Sequence, residues 1–261
     1  MKVGVVGVGV VGGACKFGFE LLGHKVLVHD IGLDTKLDDV LEAEVVYICV
    51  PTPRDDDGAC DISIVREVIT ELQAKGYEGI VAIKSTVVPG TTEALRQETG
   101  MNVCFVPEFL RERCAITDFT ENHDICILGC SDDETYKVLK ECHGSLPEKF
   151  ERLEPTEAEF CKYFNNVYNA MLIIFANSFY EACKLKGVNY TNVKNAVVNR
   201  KHIHGHYLEC NDNFRGFGGM CLPKDVSAMA KLMEESAVDF FQNLLDENSN
   251  YEVTVFEGMR K

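Results

Sequence analysis

Lys2-Val3-Gly4-Val5-Val6-Gly7-Val8-Gly9-Val10-Val11-Gly12, a valine run that passes into spaced glycines, stands at the start of the chain. A valine run with little alternation is the pattern of a strand covered on both faces, as in a parallel sheet. A glycine-rich turn follows at once. Residues 14–22 then read as a short helix closed by Gly23, and residues 25–29 as a second valine-rich strand ending at Asp30. That is one βαβ unit, the setting in which a GxGxxG pattern has physical meaning. Gly7 permits a tight turn, Gly9 lets backbone approach a pyrophosphate, and Gly12 allows helix and strand to pack closely. Val8, Val10 and Val11 complete the cradle, whose N–H groups face the phosphates, so the anion needs no lysine. Asp30, eighteen residues beyond Gly12, is placed to accept hydrogen bonds from the adenosine ribose hydroxyls. A carboxylate there repels a 2′-phosphate, so NAD is the expected cofactor rather than NADP.

Further buried strands are expected at residues 45–50, 80–84, 103–106 and 125–128, with helical or polar connections between several of them. This alternation predicts a Rossmann-like, doubly wound parallel sheet, an α/β fold occupying residues 1–150 as an NAD-binding domain. Around Glu151 the character changes. Glu154-Pro155 followed by Thr156-Glu157-Ala158-Glu159 offers a proline in a first turn and a capping box. Phe160, Phe164, Val167, Met171, Ile174, Phe175 and Ala182 recur at three- and four-residue steps and carry a helix to Gly187. Thirty residues of helix span ~45 Å, long enough for a spine between domains or across a dimer, although the central helix of an all-α second domain would look the same. Residues 191–198 predict another helix, residues 202–219 a polar loop, residues 226–245 a last helix, and the final sixteen residues a tail. Residues 151–261 therefore read as an all-α domain.

Composition narrows the function. Lysine and arginine number 26 against 41 aspartates and glutamates, a net charge of −15, with no long basic run. Nucleic-acid binding needs clustered cations and is not expected. The twelve cysteines are dispersed, Met1 runs straight into a strand with no leader, and both features predict reduced thiols in the cytoplasm. No CxxC pair accompanies His202, His204 and His206, so no metal site is expected. No apolar run reaches the ~18 residues a membrane span needs.

Three further segments hold candidate chemistry. Gly216 to Asp225 places several glycines, Gly218 among them, before Cys221, with Pro223, Lys224 and Asp225 behind it. Glycines would admit a substrate, and Lys224 would favour the reactive thiolate. An inert buried cysteine is the competing reading. Pro107-Glu108-Phe109-Leu110-Arg111-Glu112 sets two carboxylates four residues apart, where a helical turn would bring them onto one face and one could activate water; a solvated surface turn is the alternative. Lys162 and Asn166, also four apart, share a stripe among bulky apolar residues and need partners there, either a substrate oxyanion or protein carbonyls.

Taken with Val50-Pro51-Thr52-Pro53 and Lys84-Ser85-Thr86 before Pro89-Gly90, these motifs stand in the order found in the UDP-glucose/GDP-mannose dehydrogenase family, which the chain resembles over about residues 1–245. The resemblance implies two successive NAD-dependent oxidations of a nucleotide-sugar primary alcohol, with Cys221 as nucleophile and a thioester hydrolysed by water. It implies that Glu112 guides that water, that Lys162 and Asn166 hold the oxyanion, and that Asp225 supports proton transfer near the sulfur. Thr86 and Glu108 would sit near the nicotinamide and the sugar, and Val50, Pro51, Thr52 and Lys224 beside the cofactor. Phe109, Leu110, Arg111 and Gly218 would complete the substrate site. A homodimer through the long helix is implied as well. Three departures stand out: only a short acidic linker joins Asp30 to residue 45 where the family carries a further helix and strand, Ser178 replaces a frequent glutamate, and His202 stands in place of an arginine. The second α/β domain that closes over the nucleotide in the family would be missing, implying either a short enzyme or, alternatively, an impaired NAD-binding or assembly module. A β-hydroxyacid dehydrogenase performing a single oxidation is the weaker third option.

Overall fold

A computed structural model of the chain describes residues 1–55 and 57–254. Seven strands form one sheet: β1 Lys2–Val6, β2 Lys25–His29, β3 Val45–Ile48, β4 Ile80–Ile83, β5 Val103–Phe105, β6 Cys126–Gly129 and β7 Phe150–Leu153. Helices α1 Val10–Leu21, α2 Ser63–Ala74, α3 Thr91–Thr99, α4 Ala115–Thr120 and α5 Asp133–His143 connect them. After β7 come α6 Pro155–Leu185, α7 Tyr190–Val197, α8 Leu222–Leu232 and α9 Phe240–Asn248.

The strand order is β2-β1-β3-β4-β5-β6-β7, with the reversal of winding between β1 and β3. Side chains alternate between faces as strand geometry requires. Val3, Val5, Val45 and Tyr47 pack with Ala14, Cys15 and Phe19 on one side, while Val6, Val46 and Ile48 pack with Val65, Ile69 and Leu72 on the other. Both faces are thus buried under helices, which is why the strands read as unbroken apolar runs. The fold is Rossmann-like, as expected, but the sheet is only mostly parallel. β5 and β6 meet antiparallel at Phe105 and Gly129, and β7 then runs parallel to β6. β7 escaped the sequence reading because Glu151 and Arg152 lie within a short, half-exposed edge strand. Between β2 and β3 there is only a 3-10 turn, Leu37–Val40, whose Leu37 and Val40 are buried, and β2 is left as an edge of the sheet.

Contacts divide the chain into two compact units within α6, between Lys162 and Tyr163, rather than at residue 150. The first holds Met1–Pro53 and Cys60–Lys162; the second holds Arg54–Ala59 and the chain from Tyr163 onward. In the first, β7 completes the sheet and Ala158 of α6 packs into the core. In the second, Ala176, Cys183, Tyr190, Leu208 and Cys210 form a smaller core.

Two expectations for the second unit are corrected. The helix predicted at residues 226–245 is two helices, α8 and α9, separated because the Ser236 hydroxyl accepts the Val238 N–H and offers the backbone an alternative to helix. α8 also begins earlier, at Leu222, since Pro223 suits a first helical turn. The expected tail of sixteen residues is partly ordered structure: α9 runs to Asn248, and the Thr254 N–H donates to the Arg215 carbonyl at 3.1 Å. Residues 255–261 of that tail lie outside the described residues.

Candidate active site

The turn between β1 and α1 assigns each glycine a distinct role. Gly7 has φ +85°, and a Cβ there would lie 2.8 Å from the Cys49 carbonyl oxygen. A Cβ on Gly12 would stand 1.8 Å from the Gly7 carbonyl oxygen, so only glycine lets α1 approach the strand end. At Gly9, by contrast, an added Cβ meets nothing within 4 Å among the described residues. Two of the three glycines answer to the protein's own backbone, and the middle one opens onto free space at the start of α1. The first-turn amides of a helix have no intrahelical acceptor, and no acidic residue occupies the first turn of α1. These residues fit a dinucleotide pyrophosphate.

Asp30 closes the cradle from β2. Its Oδ2 accepts the Val8 N–H at 2.6 Å and its Oδ1 the Gly32 N–H at 2.7 Å. Those two amides, Val8 before Gly32, hold its carboxyl below the usual range. The sequence reading gave Asp30 to ribose alone; the structure adds that it ties the glycine turn to the end of β2. A carboxylate has about four acceptor positions, so a ribose hydroxyl still finds one. At the carboxyl ends of β3 and β4, the Ser85 hydroxyl donates to the Val50 carbonyl at 2.6 Å. The Cys60 thiol points at the carbonyls of Thr86, at 3.3 Å, and Thr52, at 3.9 Å, so Thr52 and Thr86 are brought together beside the same thiol. Pro51, just before Thr52, is exposed.

The segment after β5 departs from expectation. Residues 108–111 are irregular and Glu112 opens a single 3-10 turn, Glu112–Cys114, so Glu108 and Glu112 do not share a helical face. Glu108 turns inward, where its carboxylate meets the Lys162 ammonium at 2.7 Å and accepts the Leu110 N–H at 2.7 Å. Lys162 also donates to the Glu108 carbonyl at 2.7 Å, and the two side chains are 4% and 9% exposed. Burial pushes the Glu108 carboxyl up, but the charge and hydrogen bond of Lys162 outweigh it and hold the group below its ordinary value. Phe109 and Leu110 pack against opposite faces of the sheet. Arg111 forks onto Asp118, with Nε at 2.9 Å and Nη2 at 2.6 Å, and that pairing keeps the Asp118 carboxyl far below its usual value.

In the second unit, Asn166 donates to the Asp225 carboxylate at 2.6 Å, and Lys224 stands 2.7 Å from the other oxygen, which lacks a well-aligned hydrogen bond. Asp225 is fully buried in the first turn of α8, where its N–H donates to the Cys221 carbonyl at 2.9 Å. Lys162 and Asn166 are therefore satisfied by carboxylates of the protein. Cys221 itself is the N-cap of α8. All twelve cysteines are among the described residues, and Cys221 alone is exposed, which rules out the reading of an inert core thiol. Gly218 is not an open approach: a Cβ there would come within 2.5 Å of Val253.

Sequence reasoning missed Glu159, Asp118 and Arg215. Glu159 is buried on α6 and accepts from the Thr92 amide at 2.8 Å, the Thr92 hydroxyl at 2.6 Å and the Gly90 amide, so it caps α3 from a distance. The signal that could have found the start of α3 is Gly90 before Thr91 and Thr92, but nothing local points to its partner on α6.

The chain matches the NAD binding domain of the UDP-glucose/GDP-mannose dehydrogenase family over residues 32–146 and that family's central domain over residues 156–250. It belongs to that family. The UDP-glucose 6-dehydrogenase AglM of Haloferax volcanii is 29% identical over 88% of the chain, and a UDP-glucose 6-dehydrogenase of Pseudomonas aeruginosa is 32% identical over 76%. The chain spans 64% and 46% of the lengths of those two relatives. The solved structure of a UDP-glucose dehydrogenase from Pyrobaculum islandicum superposes with a TM-score of 0.86 at 29% identity, covering 95% of this chain and 68% of that one. NAD is the cofactor of the matched domain, whose match begins at residue 32, just after the turn at Gly7–Gly12 and Asp30. Among the described residues, no helix is long and apolar enough to cross a membrane.

Proposed function

We propose that the chain oxidises the primary alcohol of a nucleotide sugar in two NAD-dependent steps, of the UDP-glucose to UDP-glucuronate type. The observation that carries this reading is the exposure of Cys221, alone among the cysteines, at the start of a helix whose first turn holds the buried Asp225. When bound, NAD would supply the hydride acceptor for each oxidation. In the first, the alcohol loses hydride and proton and becomes an aldehyde. The Cys221 sulfur then adds to the aldehyde carbon as the thiol proton passes to the oxygen, giving a thiohemiacetal that loses the second hydride and its hydroxyl proton and becomes a thioester. Water hydrolyses the thioester, releases the carboxylate and restores the thiol. Asn166 and Lys162 are the donors assigned to the charged oxygen, the first held by Asp225 and the second by Glu108, so that neither must reorganise as charge develops. Glu112 is assigned to the hydrolytic water, and Asp225 to proton transfer near the sulfur. Thr52, Thr86 and Lys224 are assigned to the cofactor side, and Glu108 to the substrate side.

The partner proposed for α6 is a second copy of the chain in the cytoplasm. Phe164 is 75% exposed, and Phe160, Tyr168, Phe175 and Phe179 are each about half exposed along the same helix. Sedimentation equilibrium reads this directly: a monomer at all concentrations rejects it.

The function is tested by mixing the protein with NAD and, in turn, UDP-glucose, GDP-mannose and their N-acetylated counterparts. Two NADH per sugar are expected, and one would point to the single oxidation of a hydroxyacid-type enzyme. NAD binding without NADH from any sugar would leave a binding module in place of the enzyme. Cys221→Ser should bind NAD normally and stop before the carboxylate.

A further inference from the structure

The loop in front of Cys221 is held by the chain that follows α9. The Arg215 N–H donates to the Thr254 hydroxyl at 3.0 Å, the Thr254 N–H returns to the Arg215 carbonyl at 3.1 Å, and the Thr254 hydroxyl donates to the Asn213 carbonyl at 3.0 Å. Two residues on, the side chain of Asn248 grips Phe217 from both sides, accepting its N–H at 2.8 Å and donating to its carbonyl at 3.0 Å. A strand-like pairing and an amide clamp thus fix the backbone of Asn213–Phe217 at both ends.

Side chains reinforce the same contact. The Arg215 guanidinium lies 4.9 Å from the Tyr180 ring centre and 4.8 Å from that of Tyr251, and it bonds Asn177 at 2.7 Å and Glu181 at 2.6 Å. It is a fully engaged cation between two rings, an arrangement that suits a guanidinium and not an ammonium. Asn177 also accepts the Gly216 N–H at 3.2 Å, so α6 supports the loop from the other side. Gly216 has φ +60°, and a Cβ there would meet Asn248 at 2.9 Å and Val253 at 3.1 Å. At Gly218, the obstacle to a Cβ among the described residues is Val253, with Cγ1 at 2.5 Å and Cβ at 3.9 Å. The spaces beside Gly216 and Gly218 are filled by Asn248 and the segment after α9.

We propose that residues 248–254 are a positioning element for Cys221: by occupying the space beside Gly216 and Gly218, they set the path of the loop and hence the presentation of the sulfur three residues later. This rests on Cys221 being the reacting group, but its physical content is the accessibility and orientation of one thiol, which can be read without any turnover. A thiol displaced by even ~1 Å from its attack geometry loses rate steeply, so a side chain at 253 reaches the chemistry through the backbone.

The test uses the full chain and a rescue pair. Gly218→Ala adds a methyl that Val253 alone opposes among the described residues, and Gly218→Ala with Val253→Ala removes the opposing methyl while leaving Cβ at contact distance. The readout is the rate at which iodoacetamide alkylates Cys221, followed by mass spectrometry of its peptide, with buried Cys183 and Cys210 as controls for unfolding. Gly218→Ala should change the Cys221 rate by about fivefold or more, the scale on which contacting pairs couple, and the double variant should return to within about twofold of the parent. In a working enzyme the single variant should lower kcat more than it raises the sugar KM, with the same rescue. An unchanged alkylation rate in Gly218→Ala overturns the proposal. So does a double variant as impaired as the single one, because Gly218 would then serve an incoming substrate and not Val253. If no nucleotide sugar is oxidised, the proposed function fails while the thiol measurement still decides this one.

Discussion

Replacing Lys162 with methionine separates what the buried pair does for the fold from what it does for chemistry. The substitution keeps most of the side-chain volume and removes the charge that stands 2.7 Å from a carboxylate only 9% exposed. Glu108 then keeps the Leu110 amide and the more distant charge of Lys84, neither of which matches a contact ion pair. Breaking a buried pair from one side costs about 3–5 kcal/mol, chiefly because the remaining charge is stranded away from water. Urea unfolding of Lys162→Met at pH 7 should therefore show a loss of that order.

The pH dependence carries the sharper signature. In the parent, Glu108 lies below its ordinary value, so its contribution is complete above the unfolded value of about 4.3 and is lost only as pH falls through the lower folded value. In the variant, burial is opposed only by the Leu110 amide and the more distant Lys84 charge, and the carboxyl rises. The folded state then holds a proton that the unfolded state has released, and lowering pH from 7 toward about 4.3 recovers stability. The stability gap between parent and variant should narrow between pH 7 and pH 5, and Glu108→Gln in the variant background should close much of it at pH 7. A loss below about 1 kcal/mol, or a gap that stays constant with pH, would refute the stranded-carboxylate reasoning.

Other predictions follow from the same contacts. Gly12→Ala drives a methyl into the Gly7 carbonyl and should abolish cooperative melting, whereas Gly9→Ala should melt like the parent yet bind NAD about tenfold or more weakly by calorimetry. Glu159→Ala removes the cap of α3 and should cost about 2 kcal/mol in urea unfolding. Burial, with Lys84 behind it, lowers His123 to about 4, and burial also holds His143 well below its usual value. The unfolded chain therefore takes up protons first, below about 6.5, and stability should fall as pH drops from there through about 4, by about 3 kcal/mol for His123 alone; His123→Phe should flatten that slope.

The sheet was legible in the sequence because its strands are buried on both faces and therefore write themselves as valine-rich runs, and because the turn at Gly7–Gly12 admits few geometries. β7 was not, since an edge strand with Glu151 and Arg152 carries no such run. The break between α8 and α9 was hidden for a local reason: Ser236 reads as an ordinary helical residue until its hydroxyl is seen to accept a backbone N–H two residues on. The partners of Lys162 and Asn166 were beyond reach for another reason. The spacing showed that two polar groups on a buried stripe needed acceptors, but the acceptors, Glu108 and Asp225, stand 54 and 59 residues away, and local pattern holds no information at that range.

Gly9 and Gly218 show why motif glycines cannot be interpreted one at a time. Each precedes a helix by a short step, and in sequence each suggests a place where a ligand comes close. At Gly9 no described residue comes within 4 Å of an added Cβ, so the protein's own packing does not require a glycine there and the expected pyrophosphate would. At Gly218 the same space is filled by Val253, so the absence of Cβ is explained by the protein's own chain. The two glycines therefore make opposite demands on the molecule: the first must stay open for a pyrophosphate to reach the α1 amides, while the second must stay closed for the cysteine loop to keep one shape. Cofactor capture by this chain depends on a gap, and thiol presentation depends on a contact made more than thirty residues downstream of the loop it stabilises.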